Sequence, residues 1–249
     1  MKLLLDIGNS RLKWATTHGQ GLEQPGGADY RPVGLTQVLG TLELSESPQS
    51  IWVSSVASQQ ARREVKAWTA DRWALKPIFV KSCARACGLQ NAYAQPERLG
   101  VDRWLGMIAA FNRGSGPVCV VDAGTALTID AISAEGRHLG GLIAPGITSM
   151  RLILDERTQL TLPQNRGGLA WLARDTDSAI ASGTLQSALA LVERVYRRLS
   201  DDLGEPPRAL LTGGEADLLQ PHLLGGWTLA RHLVLEGLVL CAEAEGAGD

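Results

Sequence analysis

Three short loops combine glycine with hydroxyl or carboxylate side chains directly after an apolar strand. They are Asp6-Ile-Gly-Asn-Ser10, Asp122-Ala-Gly-Thr125 and Thr212-Gly-Gly214. Glycine at such a turn lets backbone amides approach a polyphosphate without a Cβ in the way. Carboxylates at strand ends can hold hydrated magnesium or a monovalent cation beside the phosphates, and Lys13 can add positive charge. The three loops together predict a metal–nucleotide site.

Other kinds of site are excluded by motif and spacing. The sequence has neither a Gly-x-x-x-x-Gly-Lys-Ser/Thr loop nor Gly-x-Gly-x-x-Gly, so the nucleotide site is of neither the Walker nor the Rossmann type. The four histidines lack metal-ligand spacing and there is no Gly-x-Ser-x-Gly elbow, which excludes zinc and serine-hydrolase chemistry. For any single loop the alternative is a turn with an Asx cap; the recurrence at three strand ends favours phosphate binding.

Composition and charge narrow the class of protein further. The 249 residues carry a formal charge of −2, which argues against non-specific nucleic-acid binding. No apolar run approaches the roughly 20 residues that span a bilayer, and the first residues reach Asp6 too soon for a signal peptide. Four cysteines are few for this length and predict reduced, structural thiols. We expect a cytoplasmic protein with no nucleic-acid or membrane partner.

The loops lie on elements that occur twice. An apolar strand at Lys2–Asp6 is followed by an alternating strand at Arg11–Thr17, and the same pattern recurs at Val118–Val121 and Leu127–Ile132. Asp122 follows Asp6 by 116 residues, close to half the chain. Chance similarity of two common turns is the alternative. We predict a duplication, with one lobe at residues 1–115 and the other at 116–249.

Further periodicity predicts the elements around these hairpins. The region Gly19–Ser50 is rich in Gly, Pro, Ser and Gln, has one weakly helical stretch near Leu35–Leu44, and is predicted to be peripheral. Arg157–Asp175 matches no motif. A helix after Ile51–Val56 has Ser58 as its predicted cap. The other predicted elements are helices at Gly100–Phe111, Ile147–Leu154, Ser178–Leu199 and Leu233–Ala244, and strands at Leu75–Val80, His138–Ile143 and Arg208–Thr212.

The motifs in order resemble those of type III pantothenate kinases. The resemblance rests on Asp6-x-Gly-Asn-Ser10, Leu99-Gly-Val-Asp-Arg-Trp104, Asp122-x-Gly-Thr-Ala126 with Thr128 and Asp130, Gly140-Gly-x-Ile-x-Pro-Gly146, and Thr212-Gly-Gly214. Ser10 stands where many members carry threonine, and it keeps the hydroxyl. The resemblance implies an α/β fold of the acetate and sugar kinase, heat-shock ATPase and actin superfamily, with two duplicated ribonuclease H-like lobes and the ATP site between them.

The resemblance also implies a reaction and its residues. The reaction is ATP-dependent phosphorylation of pantothenate to 4′-phosphopantothenate, the first step of coenzyme A biosynthesis, with Mg²⁺ and a K⁺ or NH₄⁺ ion at Asp122. Asp102 is implied as the general base, although a carboxylate in the first turn of a helix is the structural alternative. Arg103 is implied to pair the pantothenate carboxylate or a phosphate. The implied substrate-binding residues are Tyr93, Gly100, Val101, Asp102, Arg103 and Thr176. The implied ATP-binding residues are Asp6, Ile7, Gly8, Asn9, Ser10, Arg11, Leu12, Lys13 and Thr125.

A homodimer with shared active sites is the last implication of the resemblance, because in the family a threonine matching Thr176 reaches pantothenate from the partner subunit. A helix cap is the alternative role for Thr176. The apolar stripe of the helix Ser178–Leu199 either forms the interface or packs within its own lobe. Two other functions stay open: another small-molecule kinase of the superfamily, and a catalytically silent, nucleotide-dependent regulatory protein.

Overall fold

The computed structural model describes residues 1–19, 21–157 and 170–246. Most of the motif-free segment 157–175 lies outside the described residues. The elements in chain order are β1 (Lys2–Ile7), β2 (Arg11–Thr17), β3 (Glu23–Asp29), α1 (Leu35–Gly40), β4 (Ser50–Ser55), α2 (Gln59–Trp73), β5 (Ile78–Phe79), β6 (Arg85–Ala86), β7 (Leu89–Gln90), α3 (Val101–Asn112), β8 (Val118–Ala123), β9 (Ala126–Ile132), β10 (His138–Pro145), α4 (Ile147–Arg157), α5 (Thr176–Leu203), β11 (Arg208–Thr212), α6 (Ala216–Leu219), β12 (Thr228–Leu229) and α7 (Leu233–Gly246).

The chain divides by its internal contacts into two compact units. Unit 1 contains residues 1–115, 136–138 and the chain from 232 onward; unit 2 contains residues 116–135 and 139–231. The predicted division also separates residues 115 and 116, and it differs from the units in two segments. The larger is α7, whose Leu235 and Leu238 pack with Leu4 and Trp52 of unit 1. Although α7 lies near the C-terminal end of the sequence, its apolar packing assigns it to unit 1.

The two units contain sheets of the same topology. Unit 1 has the order β3-β2-β1-β4-β5, and unit 2 has β10-β9-β8-β11-β12. In each sheet the first strand pairs antiparallel with the second and parallel with the strand that follows a helical crossover. The prediction of a duplicated α/β fold is confirmed, and the hairpins begin and end close to where alternation predicted them.

Burial on both faces explains the continuous apolar run of β1. Leu3 and Leu5 face a core shared with α1 and α2, whereas Leu4 faces α3 and α7. Sheets covered on both faces lose the apolar–polar alternation of half-exposed strands. In unit 2, β8 also begins as a continuous apolar run, and its Cys119 and Val121 are buried in one cluster with α5.

The region Gly19–Ser50 was incorrectly predicted to be wholly peripheral. Its strand β3 forms the edge of the sheet, next to β2. Leu39 and Leu42, however, are almost fully buried and belong to the core of unit 1. The short helix α1 lies within the weakly helical stretch predicted near Leu35–Leu44, and its buried side chains attach the region to the core.

In the described ranges no helix combines the length and apolarity needed to cross a membrane.

Close packing of α7 on α3 gives a prediction. A Cβ at Gly237 would run into the backbone carbonyl of Leu105. Gly237→Ala should therefore lower the free energy of unfolding by about 1–3 kcal/mol, the usual cost of overpacking. Urea unfolding measures the difference. Gly106→Ala on α3 is the matched control, because its Cβ would meet no atom of the described chain within 4 Å. Equal effects of the two substitutions would contradict the packing.

Candidate functional site

The loop between β1 and β2 is held by a tyrosine from outside the motif. The Gly8 amide donates to the Arg11 carbonyl at 3.0 Å, and the Tyr30 hydroxyl donates to the Gly8 carbonyl at 2.5 Å. The Tyr30 amide donates to the Ser10 carbonyl at 3.0 Å. Partial burial raises the pKa of Tyr30, so the hydroxyl stays a neutral donor. The loop has a fixed turn with Asn9 exposed at its tip.

The predicted ATP-binding residues of this loop differ in what they present. Asp6 is buried at 7% exposure, and the sheet register places it opposite Lys13 on β2 and Ser54 on β4. The side chains of Ile7 and Leu12 lie in the core of unit 1, so only their backbone groups can contact a ligand. The remaining members, Gly8, Asn9, Ser10, Arg11 and Lys13, are half-buried or exposed.

Tyr93, Asp102 and Arg103 form one group in unit 1. The Arg103 guanidinium donates to the Tyr93 hydroxyl at 3.1 Å, and its central carbon lies 5.9 Å from the centre of the tyrosine ring. Asp102 is in the first turn of α3, where its Oδ1 accepts the Arg103 backbone amide at 2.8 Å. The position of Asp102 in the first turn of the helix therefore does not conflict with the general-base role that the resemblance implies. Arg103 is only 9% exposed, so its guanidinium is held in place against Tyr93.

Two further residues support Tyr93, and the sequence analysis missed both. The Asn91 side chain accepts the Tyr93 amide at 2.9 Å and donates to the carbonyls of Cys83 and Pro96. The buried ring of His138 stacks on Tyr93 with centroids 6.1 Å apart. The Asn-x-Tyr spacing typical of an Asx turn could have indicated Asn91. No local pattern indicates His138, because it comes from β10.

The loop after β8 places oxygen atoms around Asp122. The register sets Asp122 opposite Thr128 on β9 and Thr212 on β11. Gly213 has φ +99°, and a Cβ there would run into the Asp122 carboxylate and the Ala123 carbonyl. Glycine is therefore required at 213. Carboxylate and carbonyl oxygens are the donors that hard cations prefer, so these residues fit a potassium-type ion.

Thr125 occupies the tip of the same loop. Its carbonyl accepts the Gly146 amide at 3.0 Å and the Ser149 hydroxyl at 2.6 Å, while its side chain is exposed. The motifs containing Asp122, Gly146 and Gly213 thus meet in unit 2, although they are far apart in the sequence.

Thr176 is the first residue of α5 and is exposed. The helix cap is Asp175, whose side chain accepts the Ser178 amide at 2.8 Å, so the cap role considered for Thr176 is wrong. The hydrogen bonds from Ser178 hold the pKa of Asp175 below its ordinary value. Thr176 lines an open, largely apolar groove of about 710 Å³ between α4 and α5. The other lining residues are Pro145, Met150, Ile153, Leu154, Ala179, Ile180, Gly183, Thr184 and Ser187.

The apolar stripe of α5 packs inside its own unit. Leu185 and Val192 are buried in the core of unit 2, and Leu189, Tyr196 and Leu199 pack against that core. The interpretation of this stripe as a dimer interface is therefore wrong.

Comparison with known sequences decides the family. The sequence profile described as type III pantothenate kinase matches residues 2–198. The chain belongs to the type III pantothenate kinase family. The type III pantothenate kinase of Nitrosococcus oceani is 33% identical over 98% of this chain and 94% of its own. That of Xanthomonas oryzae pv. oryzae is 40% identical over 97% of each chain.

Solved structures agree on the fold. A Campylobacter jejuni protein described as a putative Baf family transcriptional activator aligns over 98% of this chain and 99% of its own, with a TM-score of 0.62 and 23% identity. MreB5 of Spiroplasma citri bound to ADP aligns over 99% and 97% of the two chains, with a TM-score of 0.52 and 10% identity. A hexokinase of Thermus thermophilus aligns over 99% of each, with a TM-score of 0.51 and 15% identity. The predicted α/β fold with two duplicated lobes is confirmed.

The position of the Asp102 carboxylate depends on Gly100. A Cβ at Gly100 would lie 2.6 Å from Asp102 Oδ1, so Gly100→Ala must turn the carboxylate away from the Arg103 amide. We expect a shifted Arg103 amide resonance in ¹H–¹⁵N spectra. If Asp102 is the general base that the resemblance implies, the kinase rate should also fall by about tenfold or more, because small misplacements of reacting groups greatly slow a reaction. Gly106→Ala, farther along the same helix, is the control. An unchanged Arg103 resonance would contradict this geometry.

Proposed function

We propose that this enzyme transfers the γ-phosphoryl group of ATP to the primary hydroxyl of pantothenate, giving 4′-phosphopantothenate and ADP. The observation that carries the proposal is the preformed Tyr93–Arg103–Asp102 group in a chain matched by the family profile. The Arg103 guanidinium can pair with an anionic group of the substrate, and the Asp102 carboxylate can hydrogen-bond to an alcohol. An open cavity of about 480 Å³ lies beside it, lined by Tyr93, Ala94, Gln95 and Arg98.

Asp102 acts as the general base in this proposal. The bond between the hydroxyl oxygen and the γ-phosphorus forms, the bond from that phosphorus to the β–γ bridging oxygen breaks, and the hydroxyl proton passes to the Asp102 carboxylate. An aspartate is a weak base, but in a loose transition state it mainly orients the nucleophile and accepts the proton late. The hydrogen bond from the Arg103 amide to Oδ1 holds the carboxylate at the start of α3, where it can orient the hydroxyl.

The β1–β2 loop is proposed to bind the ATP phosphates through the backbone and side chains of Gly8, Asn9, Ser10 and Arg11, with Lys13 supplying charge. In unit 2, Thr125 is proposed as a further ATP contact. Asp6 would hold Mg²⁺ through water, and the metal would neutralise charge on the phosphates. In the described ranges no three His, Cys, Asp or Glu side chains are arranged to hold a metal by themselves. Because ATP is a cytoplasmic substrate, we propose that the enzyme acts in the cytoplasm.

Asp122 is proposed to bind the monovalent cation, K⁺ or NH₄⁺. The support is that the Asp122 carboxylate and the Ala123 carbonyl both lie close against Gly213 at the end of β8, which brings two oxygen donors together. A partly buried carboxylate needs a positive or hydrogen-bonding partner, and a weakly hydrated monovalent ion can supply part of this.

We propose a homodimer in which Thr176 contacts pantothenate bound to the partner. The α5 stripe does not support this dimer. Its support is the largely apolar α4–α5 groove and the exposed apolar side chains on α4 and β10. Ile153 is 48% exposed, and on β10 Leu142 and Ile143 are 47% and 65% exposed. Apolar side chains clustered on a surface are typical of interaction sites.

An ADP-release assay with alternative acceptors tests the reaction. Pantothenate should be phosphorylated, and glucose and mannose should not. Pantothenol, which keeps the hydroxyl and lacks the carboxylate, separates the two roles of Arg103: a raised KM for pantothenol indicates carboxylate pairing, and an unchanged KM indicates phosphate binding.

ADP release with a sugar alone would favour the rival small-molecule kinase, and no ADP release with any acceptor would favour the regulatory protein. Equal rates in sodium and potassium would reject the cation at Asp122.

Asp102→Asn should lower kcat by about 10²-fold or more, the usual scale of general-base loss. The amide keeps the size of the side chain and an oxygen for the Arg103 amide, so ADP binding measured by calorimetry should stay close to wild type. Asp71→Asn, at an exposed position on α2, is the control. Near-normal turnover of Asp102→Asn would remove Asp102 from its role.

The shared site predicts complementation between inactive variants. Asp102→Asn and Thr176→Arg should each be inactive as homodimers. Random re-association of equal amounts makes half the dimers mixed, each with one intact site, and should restore about a quarter of wild-type activity. Thr176 is exposed, so its substitution should leave folding intact. Mixtures that stay inactive, with subunit exchange verified by mass spectrometry, would show that each chain builds its own site.

A further inference from the structure

Glu215 makes three hydrogen bonds that join separate segments of unit 2. Its carboxylate accepts the backbone amides of Ile147 and Thr148, both at 2.9 Å. Its own amide donates to the Ala123 carbonyl at 2.8 Å. The residue follows Thr212-Gly-Gly214 directly and was not among the residues that the sequence indicated.

These bonds connect the loop after β11, the loop after β8 and the start of α4. The last two are also joined by the bonds from Gly146 and Ser149 to the Thr125 carbonyl. The backbone position of the Asp122–Thr125 loop is therefore set from both sides. Ala123 is held by Glu215, and Thr125 by the N-terminal end of α4.

The charge of Glu215 matters as well as its geometry. The first amides of a helix have no partner within the helix and carry partial positive charge. At α4 the Glu215 carboxylate takes two of these amides, so the helix end is neutralised by the protein itself.

We propose that Glu215 is a positioning residue that fixes the Asp122–Thr125 loop for the nucleotide and its cation. The inference rests on the proposed function of that loop. It does not depend on which acceptor is phosphorylated, because its effect should appear in nucleotide and cation affinity. Loss of the carboxylate should free the start of α4 and, through it, the Thr125 end of the loop, whereas the bond from the Glu215 backbone amide to Ala123 does not depend on the side chain.

The test compares Glu215→Ala and Glu215→Gln with Glu205→Gln, at an exposed position of unit 2. For Glu215→Ala we expect the ADP dissociation constant by calorimetry, and the potassium concentration giving half activation, to rise by about tenfold or more. The KM for pantothenate should stay unchanged. Glu215→Gln keeps one acceptor and should fall between Glu215→Ala and wild type. Hydrogen exchange of the Ile147 and Thr148 amides should accelerate in both variants.

A purely structural role would lower the fraction of active enzyme and reduce kcat with nucleotide affinity unchanged, and that result would overturn the proposal. If Glu215→Ala does not fold, Glu215→Gln gives the same comparison, and wild-type ADP affinity in it would overturn the proposal equally. Failure of wild type to phosphorylate pantothenate would reject the proposed acceptor. The ADP measurement would still decide the role of Glu215.

Discussion

A carboxylate at the end of a buried strand is the constraint on which both units depend. Asp6 is the penultimate residue of β1, and Asp122 is the penultimate residue of β8. A charged group in such a place is costly unless polar partners surround it. The sheets supply them, with Lys13 and Ser54 opposite Asp6 and with Thr128 and Thr212 opposite Asp122. Since the same arrangement arises twice, the duplicated topology has placed one kind of polar site at equivalent ends of two sheets.

Around these carboxylates the backbone is fixed by neighbours rather than by the loops themselves. In unit 1, Tyr30 holds the β1–β2 turn from a position 22 residues from Gly8 in the sequence. In unit 2, Gly213 and Glu215 bring the end of β11 against the β8–β9 turn. Phosphate and cation sites gain from such rigidity, because a preorganised site needs little reorganisation when the ligand binds.

Periodicity predicted the main strands and helices because their apolar faces follow the core directly. The alternation from Arg11 to Thr17 and the cap at Ser58 are local signals, and both are confirmed. The α5 stripe was real as a pattern, but the sequence could not show which surface it meets. Glu215 and His138 act across long separations, and each depends on a tertiary contact that no local pattern encodes. Asp102 was assigned through the family resemblance, since spacing alone describes it equally well as a first-turn carboxylate.

The proposed reaction depends on Asp102 holding the primary hydroxyl of pantothenate. It is tested most directly by a crystal structure with pantothenate and a non-hydrolysable ATP analogue, in which the distance from Asp102 to the primary hydroxyl is measured. We expect a hydrogen bond of about 2.6–3.2 Å between a carboxylate oxygen and that hydroxyl, with the pantothenate carboxylate or a phosphate against Arg103. Pantothenate bound with its primary hydroxyl out of reach of Asp102 would contradict it.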